Sequence, residues 1–265
     1  MTRSWLDTAL EAAKAGTSVL KKLWGQRLTV QSKSRFDFVT DADQKSEAAI
    51  LEVIRRRHPD HLILAEESSQ DFEKARSTEK ALWIVDPLDG TTNFIHGFPH
   101  VAVSVAVAVG GRPLAGVVVD VFREEVFYAS KGQGAWLGNT RLQVSQAADP
   151  AQALLLTGFP FRQKDRLQAF LGLFAELFEQ VSGIRRAGAA ALDLAYVAAG
   201  RADGFWEIGL NPWDVAAGAI LITEAGGVID DFSGNGGYLW DNEVVAGNPA
   251  LVPWLKEACY RHLGR

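Results

Sequence analysis

Four short apolar runs between residues 81 and 129 constrain the fold of this chain more than any other feature. They cover residues 81–85, 101–109, 114–121 and 125–129, and valine dominates the two in the middle. Short runs rich in β-branched residues and bounded by turn residues predict buried strands. Because only short turns such as 110–113 separate the last three runs, we expect these three to form an antiparallel meander.

Helical periodicity marks the segments around these strands. Residues 5–24 have the apolar spacing of an amphipathic helix, and residues 43–57 predict a second helix that ends before Pro59. Further predicted helices are 165–181, 189–199, 215–225 and 253–263, and further strand candidates are 62–65, 153–157, 202–208, 228–231 and 244–246. Strands and helices do not alternate strictly, so the pattern favours a layered α+β fold.

Size and composition narrow the class of protein. The chain has 265 residues, and we expect one domain with an N-terminal lobe at about 1–150 and a C-terminal lobe at about 151–265. A net charge of −5 argues against nucleic-acid binding, and a single cysteine, Cys259, excludes an intrachain disulfide and a four-cysteine zinc site. Without a signal-peptide pattern or an apolar run of membrane-spanning length, the sequence predicts a soluble, cytoplasmic protein.

Acidic residues cluster where two of the predicted strands end. Segment 86–91, with the sequence DPLDGT, places Asp86 and Asp89 three residues apart on a turn directly after a buried strand. Carboxylates gathered without basic neighbours repel one another unless they are protonated or share a cation. Hard cations that prefer oxygen ligands, Mg²⁺ above all, suit such a cluster.

Two more acids belong with this cluster if the strands are neighbours. Glu66 follows the strand at 62–65, so an adjacent strand would bring it beside Asp86, and Asp214 opens a predicted helix in the second half. Any one of these acids, taken alone, is explained better by a turn or a cap than by metal binding. Asp214 is explained equally by a charge that complements the helix dipole and by a metal ligand. After Gly90, a helix begins whose free N–H groups would favour a phosphate.

Taken together, these motifs resemble the inositol monophosphatase family. The matching elements are DPLDGT at 86–91, WD at 213–214 with a small-residue helix ending in EAGG at 224–227, EES at 66–68 and VTDAD at 39–43. They occur in the family order over nearly the whole chain. The resemblance implies a layered αβαβα sandwich and a Mg²⁺-dependent, lithium-sensitive phosphatase that forms a homodimer.

The resemblance also implies roles for individual residues. The implied ligands of two Mg²⁺ ions are Glu66, Asp86, the Leu88 carbonyl, Asp89 and Asp214, with a third, weaker ion near Glu66. The residues implied to position or deprotonate the attacking water are Glu66, Thr91 and Asp43. The implied phosphate- and substrate-binding residues are Gly90, Thr91, Thr92, Gly188, Ala190 and Glu207. On sequence alone, Glu207 is explained about equally well as an exposed glutamate at a strand end.

Other motifs are explained better by structure than by chemistry. The acids of segment 41–43 (DAD) resemble the motif of haloacid-dehalogenase phosphatases, but Lys45 stands where that motif continues differently. The glycine-rich segment 132–138 has its last glycine one place late for a dinucleotide loop, and turns between strands explain it better. His96 and His100 are four apart, yet the Gly and Pro between them oppose a helical zinc pair.

Three functional hypotheses remain open at this point. The first is hydrolysis of a small polyol phosphate, with myo-inositol 1-phosphate as the foremost candidate. The second keeps the chemistry but changes the substrate to fructose 1,6-bisphosphate, 3′-phosphoadenosine 5′-phosphate, NADP or histidinol phosphate. The third is a regulatory binding protein that retains the fold and engages the transcription machinery, as some bacterial relatives do.

Overall fold

The computed structural model describes residues 2–34, 37–68, 71–161 and 163–264. The helices are α1 Thr2–Leu23, α2 Asp41–Arg57, α3 Phe72–Ser77, α4 Thr91–Ile95, α5 Leu167–Phe178, α6 Ala190–Ala198, α7 Pro212–Glu224 and α8 Val252–Leu263. The strands are β1 Val30–Ser34, β2 Asp37–Thr40, β3 Leu62–Ala65, β4 Leu82–Asp89, β5 Ala102–Val109, β6 Arg112–Asp120, β7 Glu125–Ser130, β8 Ala135–Leu137, β9 Thr140–Arg141, β10 Leu154–Thr157, β11 Gly183–Arg185, β12 Gly204–Ile208, β13 Val228–Asp230 and β14 Glu243–Gly247. No helix in the described part of the chain is both long and apolar enough to cross a membrane.

The elements stack in five layers. One sheet has seven strands in the order β3-β4-β5-β6-β7-β8-β9, and a second has five in the order β11-β10-β12-β14-β13. Helices α1 and α2 cover the outer face of the larger sheet, α6 and α7 lie between the sheets, and α5 and α8 cover the outer face of the smaller one. The predicted α+β class, the αβαβα layering and the β5-β6-β7 meander are confirmed.

Strand β5 shows how the sequence assigns the two faces of the larger sheet. Val103, Val105 and Val107 pack in the core under α1 and α2, whereas the intervening Ala102 and Ala106 face α6 and α7. Successive side chains of a strand point to opposite faces, so this alternation separates a bulky face from a small one. Valine fills the outer core, and alanine lets the central helices approach closely.

Close packing between α7 and the sheet has a specific cause at Gly116 on β6. A Cβ atom at this position would lie 2.7 Å from Ile220 and 2.8 Å from the backbone of Ala217. Only glycine permits this approach. The helix also accepts a hydrogen bond at the Trp213 carbonyl from Ser104 Oγ, at 3.1 Å. These contacts hold α7 against β5 and β6.

The segments that differ from the sequence-based expectation include the first hairpin and the first long helix of the second half. The polar stretch 31–37 gave no strand signal, yet β1 and β2 pair in an antiparallel hairpin, because backbone pairing needs no hydrophobic alternation. The predicted helix 165–181 is shorter: a 3₁₀ turn, Lys164–Arg166, precedes α5, which ends at Phe178. As expected, the glycines of 132–138 lie in turns: Gly132 and Gly134 are between β7 and β8, and Gly138 is between β8 and β9. Glu224 accepts from the N–H groups of Gly132 and Gly134.

Candidate active site

The pairing of β3 with β4 brings the first two acids together. The two strands are parallel, with Ala65 opposite Val85, and the N–H of Glu66 donates to the Val85 carbonyl at 3.2 Å. Parallel strands end at the same edge of a sheet, so Glu66 and Asp86, each the next residue after this pair, lie side by side there. The sequence-based expectation that neighbouring strands bring them together is confirmed.

The end of β4 turns sharply to deliver Asp89. The pairing with β5 loses its register between Asp86 and Asp89, and the Leu88 N–H donates to Asp86 Oδ1 at 3.0 Å. Gly90 then adopts φ 94°, a left-handed conformation in which a Cβ atom would lie 3.0 Å from the His100 carbonyl oxygen. This turn starts α4.

Helix α7 supplies the fourth acid of the cluster. Asp214 lies in the first turn, where its Oδ2 accepts from the Asn211 N–H at 2.7 Å. Carboxylate oxygens of Asp86, Asp89 and Asp214 all lie within 4.8 Å of one another, and all three residues are buried. Three acids separated by up to 128 positions in sequence (86 to 214) therefore share one small volume.

This crowding is electrostatically unfavourable for the protein alone. Burial raises the pKa of Asp86 well above its usual range, and the charges of Glu66, Asp89 and Asp214 raise it further. Burial and the neighbouring Asp214 raise the pKa of Asp89 in the same way. A hard divalent cation with oxygen ligands would relieve this repulsion, so the donor set fits Mg²⁺.

A hydroxyl and a carboxylate pair lie beside the acids. Thr91 Oγ1 lies 2.9 Å from Asp43 Oδ1, and Asp43 Oδ2 accepts from both the N–H and the hydroxyl of Thr40 at 2.8 and 2.6 Å. Thr40 caps α2, so the start of that helix holds Asp43 in place. Burial raises the pKa of Asp43, although its hydrogen bonds oppose the shift.

One cavity of about 820 Å³ joins these groups to the predicted substrate residues. The predicted residues on its wall are Glu66, Asp86, Leu88, Asp89, Gly90, Thr91, Thr92, Gly188, Ala190, Glu207 and Asp214. Asp43 lies behind the wall and reaches the cavity through its hydrogen bond to Thr91. The structure thus brings together the site residues that the sequence analysis named, while their roles stay predictions.

Backbone contacts between the two halves were not foreseen. The amide of Asn93 on α4 donates to the carbonyls of His100 and Ala187 at 2.8 and 3.0 Å, with the Gly188 carbonyl at 3.4 Å. Two of these partners, Ala187 and Gly188, lie in the loop before α6. The N–H of Ala191, in the first turn of α6, donates to Asp89. No periodicity or motif signals such contacts, because they depend on the docking of two separate loops.

The outer wall of the cavity also went unrecognised as part of the site. Phe159 and Phe161 lie there with exposed rings, beside Arg186. The only sequence signal was the pair Arg185 and Arg186 near Gly188, and the sequence could not decide which arginine faces the cavity.

Comparison with known proteins agrees with this fold and site. The family model described as the inositol monophosphatase family matches residues 1–263. A match over nearly the whole chain identifies the class, and the chain belongs to this family.

Individual relatives are similar over the same length. The Nus factor SuhB of Salmonella typhimurium is 46% identical over 249 residues, which cover 93% of this chain and 92% of that protein. Among solved structures, the extragenic suppressor protein SuhB of Bartonella henselae has a TM-score of 0.90 at 37% identity, covering 96% of this chain and 98% of its own. The inositol monophosphatase of an Anabaena (Nostoc) species has a TM-score of 0.85 at 38% identity, covering 98% and 96%.

Proposed function

We propose that this protein is a Mg²⁺-dependent phosphomonoesterase that hydrolyses a small polyol phosphate, myo-inositol 1-phosphate first among them. The observation that carries the proposal is the buried triad Asp86, Asp89 and Asp214 beside the start of α4. If these three buried acids had only a structural role, their mutual repulsion would lower the stability of the fold and nothing would compensate it. Family membership supports the same chemistry.

The metal would be held by the acids at the sheet edge. Glu66, Asp86 and the Leu88 carbonyl would bind one Mg²⁺, and Asp86, Asp89 and Asp214 a second, with a third ion more weakly held near Glu66. When bound, Mg²⁺ lowers the pKa of a coordinated water and neutralises the charge of the phosphate ester.

The chain itself binds the phosphate and accepts the water's proton. The first N–H groups of α4, which follow Gly90, have no partners within the helix and can donate to phosphate oxygens. The Thr91 hydroxyl donates a hydrogen bond to Asp43. The Thr91 oxygen can therefore accept a hydrogen bond from a water molecule. Asp43 would take up the proton through Thr91. Burial raises the pKa of Asp43, which makes its carboxylate a stronger base.

Glu207 supports a polyhydroxylated leaving group. Its carboxylate lies against Gly158, where a Cβ atom would be 2.0 Å from Glu207 Oε1, so the glycine leaves room for this acid. Burial first, and then the charges of Asp193, Asp214 and Asp89, raise its pKa well above the usual range. A carboxyl in the cavity wall can accept a hydrogen bond from a polyol hydroxyl. To test this preference, a substrate panel should also include fructose 1,6-bisphosphate, 3′-phosphoadenosine 5′-phosphate, NADP and histidinol phosphate.

Phosphate release from myo-inositol 1-phosphate tests the proposal. We expect turnover that requires Mg²⁺ and that EDTA abolishes. Li⁺ in the millimolar range should inhibit it by competing at an oxygen site. Asp89→Asn should lower kcat by several orders of magnitude. Asp149→Asn is the matched control, because this exposed aspartate caps a 3₁₀ turn and asparagine caps equally well. Near-normal turnover by Asp89→Asn, or no turnover of any phosphate in the panel, would refute the assignment.

A regulatory role is a second candidate, favoured by the name of the Salmonella relative, Nus factor SuhB. In that case the chain would engage the transcription machinery, independently of turnover. Gel filtration of the purified protein with purified RNA polymerase tests it, and co-elution of both wild type and Asp89→Asn would support a role separate from catalysis. Separate elution of both would reject it.

We also propose that the protein is a homodimer, as the family resemblance implies. Helix α5 exposes Leu167, Leu171 and Phe178, an apolar surface that a second copy could cover. Light scattering after gel filtration should give twice the chain mass of 28.8 kDa. A monomer mass at micromolar concentration would contradict this.

A further inference from the structure

The side chain of His100 makes a buried contact that the proposed mechanism does not use. Its Nε2 atom lies 3.5 Å from Asp193 Oδ1, and both residues are buried. Within the described residues, neither of these two atoms has a hydrogen-bond partner, and no other basic group lies within ion-pair distance of Asp193. The two groups therefore depend on each other, because either one alone would be a buried polar group without any partner.

The His100 ring packs on one face of helix α6. Asp193 lies in the first turn of this helix, and Tyr196 follows three residues later on the same face. The rings of His100 and Tyr196 meet edge to face, with 6.0 Å between their centres. The ion pair and the ring contact together hold the beginning of α6 in one position.

The backbone of the same residue contacts helix α4. The His100 carbonyl accepts from the Asn93 amide at 2.8 Å, and a Cβ atom on Gly90 would lie only 3.0 Å from its oxygen. His100 thus contacts α4 through its backbone and α6 through its side chain. Both helices begin beside Asp89, because α4 follows it in the chain and the Ala191 N–H of α6 donates to its Oδ2 at 2.7 Å.

We propose that His100 is a positioning residue for Asp89, acting through Asp193 and the first turn of α6. The Ala191 N–H can orient Asp89 only while the beginning of this helix is held in place. The inference rests on the proposed function, because it treats Asp89 as a ligand of Mg²⁺. Groups that orient a metal ligand without touching the ion typically change metal affinity or activity by about 10–100-fold when they are replaced.

A purely electrostatic role for His100 predicts the opposite result. The charge of Asp193 reaches the acids: after burial and Asp214, it is among the causes that raise the pKa of Asp89. Removing the group that pairs with Asp193 would make the surroundings of the acids more negative, so a cation would bind more tightly. Loss of positioning would make the cation bind more weakly. The direction of the change in metal affinity therefore distinguishes the two roles.

Calorimetric titration with Mn²⁺ in the absence of substrate tests the proposal, because Mn²⁺ prefers the same oxygen ligands as Mg²⁺. His100→Phe keeps an aromatic ring against Tyr196 but removes the nitrogen that faces Asp193, and we expect the Kd for Mn²⁺ to rise about tenfold. His100→Gln, whose amide can take the place of Nε2, should restore most of the affinity. The matched control is His262→Phe, which breaks a histidine–glutamate pair of 2.7 Å with Glu176 on the outer helices and should leave the Kd unchanged.

A double variant checks that the effect depends on Asp89. In Asp89→Asn the carboxylate that His100 is proposed to position is already lost, so adding His100→Phe should not weaken the remaining Mn²⁺ binding further. Thermal unfolding in EDTA shows whether each variant is folded. If His100→Phe is not, His100→Asn gives the same comparison, because its shorter amide does not reach Asp193.

The outcomes separate this inference from the proposed function. Unchanged or tighter Mn²⁺ binding in His100→Phe would overturn the inference, as would an equal loss in His100→Gln or His262→Phe, or an equal loss in the Asp89→Asn background. The proposed function could stand in each of these cases. Wild-type protein that binds no Mn²⁺ would refute the proposed function, and this inference with it. Weaker binding in His100→Phe that His100→Gln restores supports the positioning role even if no phosphate ester is hydrolysed.

Discussion

The backbone N–H of Ala191 donates a hydrogen bond of 2.7 Å to Asp89 Oδ2, joining the first turn of α6 to the end of β4. The two residues are 102 positions apart. A helix N-terminus carries a partial positive charge, which stabilises a carboxylate beside it. This bond opposes the repulsion from neighbouring acids and keeps Asp89 directed into the cluster.

Replacing Asp89 by Asn should change stability in opposite directions with and without metal. Without metal, the variant loses one of the repelling charges while its side-chain oxygen still accepts from Ala191, so its melting temperature should equal or exceed that of wild type. Wild type should gain stability with Mg²⁺, by about 2.7 kcal/mol at one hundred times the dissociation constant, and the variant much less. Thermal unfolding in EDTA and in Mg²⁺ measures both; an equal Mg²⁺ shift in the two proteins would contradict a metal role for Asp89.

The hydroxyl of Thr91 should be essential for turnover. Thr91→Val keeps the shape of the side chain but removes the group that donates to Asp43, and kcat should fall by about 10²–10⁴-fold. Thr91→Ser retains the hydroxyl and serves as the control, with most of the activity kept. Steady-state kinetics at saturating Mg²⁺ decide the matter, and a valine variant within threefold of wild type would exclude this proton path.

Gly90 and Gly97 form a matched pair for the start of α4. Both have a positive φ, but a Cβ atom at Gly90 would crowd the carbonyls of His100 and Gly188, while one at Gly97 meets nothing within 4 Å. Gly97→Ala should cost about 1–2 kcal/mol from its backbone conformation alone. Gly90→Ala should cost more and should also raise KM, because the loop that we propose binds phosphate must shift. Chemical denaturation with parallel kinetics would reject this account if the two variants behaved alike.

Asn93 should hold the two halves of the cavity in register. Asn93→Asp replaces a donor by a carboxylate that faces the carbonyls of His100 and Ala187, so we expect a loss of about 1–3 kcal/mol in unfolding free energy and a lower kcat. Asn139→Asp, on an exposed turn, controls for the added charge. Unchanged stability and kcat in the Asn93 variant would show that these hydrogen bonds do not position the site.

Two stacked histidines should make the fold sensitive to acid. The rings of His58 and His61 lie 4.6 Å apart, and Trp83 Nε1 donates to His61 Nδ1. Burial lowers the pKa of both histidines below 6.5 in the folded state. The unfolded chain therefore binds more protons near that pH, so stability should be complete above about pH 7 and should fall as pH drops through about 6.5 and below.

The replacement His61→Asn isolates this effect. An asparagine oxygen can still accept from Trp83 but cannot be protonated in this range. Its melting temperature should therefore depend less on pH between about 5 and 7.5 than that of wild type. An identical pH dependence in both proteins would mean that other groups cause the acid sensitivity.

Local sequence determined a large part of this molecule. The alternation of valine and alanine along β5 fixes which core each face enters, and the glycine after Asp89 fixes a left-handed turn where α4 begins. These features depend on near neighbours in the chain and on the period of the strand, so they can be read from residue order. The residue types of the acids likewise indicated a cation site.

Tertiary structure alone decided how those groups meet. Asp214 reaches Asp86 because α7 packs closely on Gly116, and the hairpin β1–β2 forms without an apolar pattern. The choice of Arg186 over Arg185 for the cavity wall follows from aromatic rings some 25 residues earlier in the chain. Such contacts join distant segments, and their energies depend on distance and burial, which the order of residues does not specify.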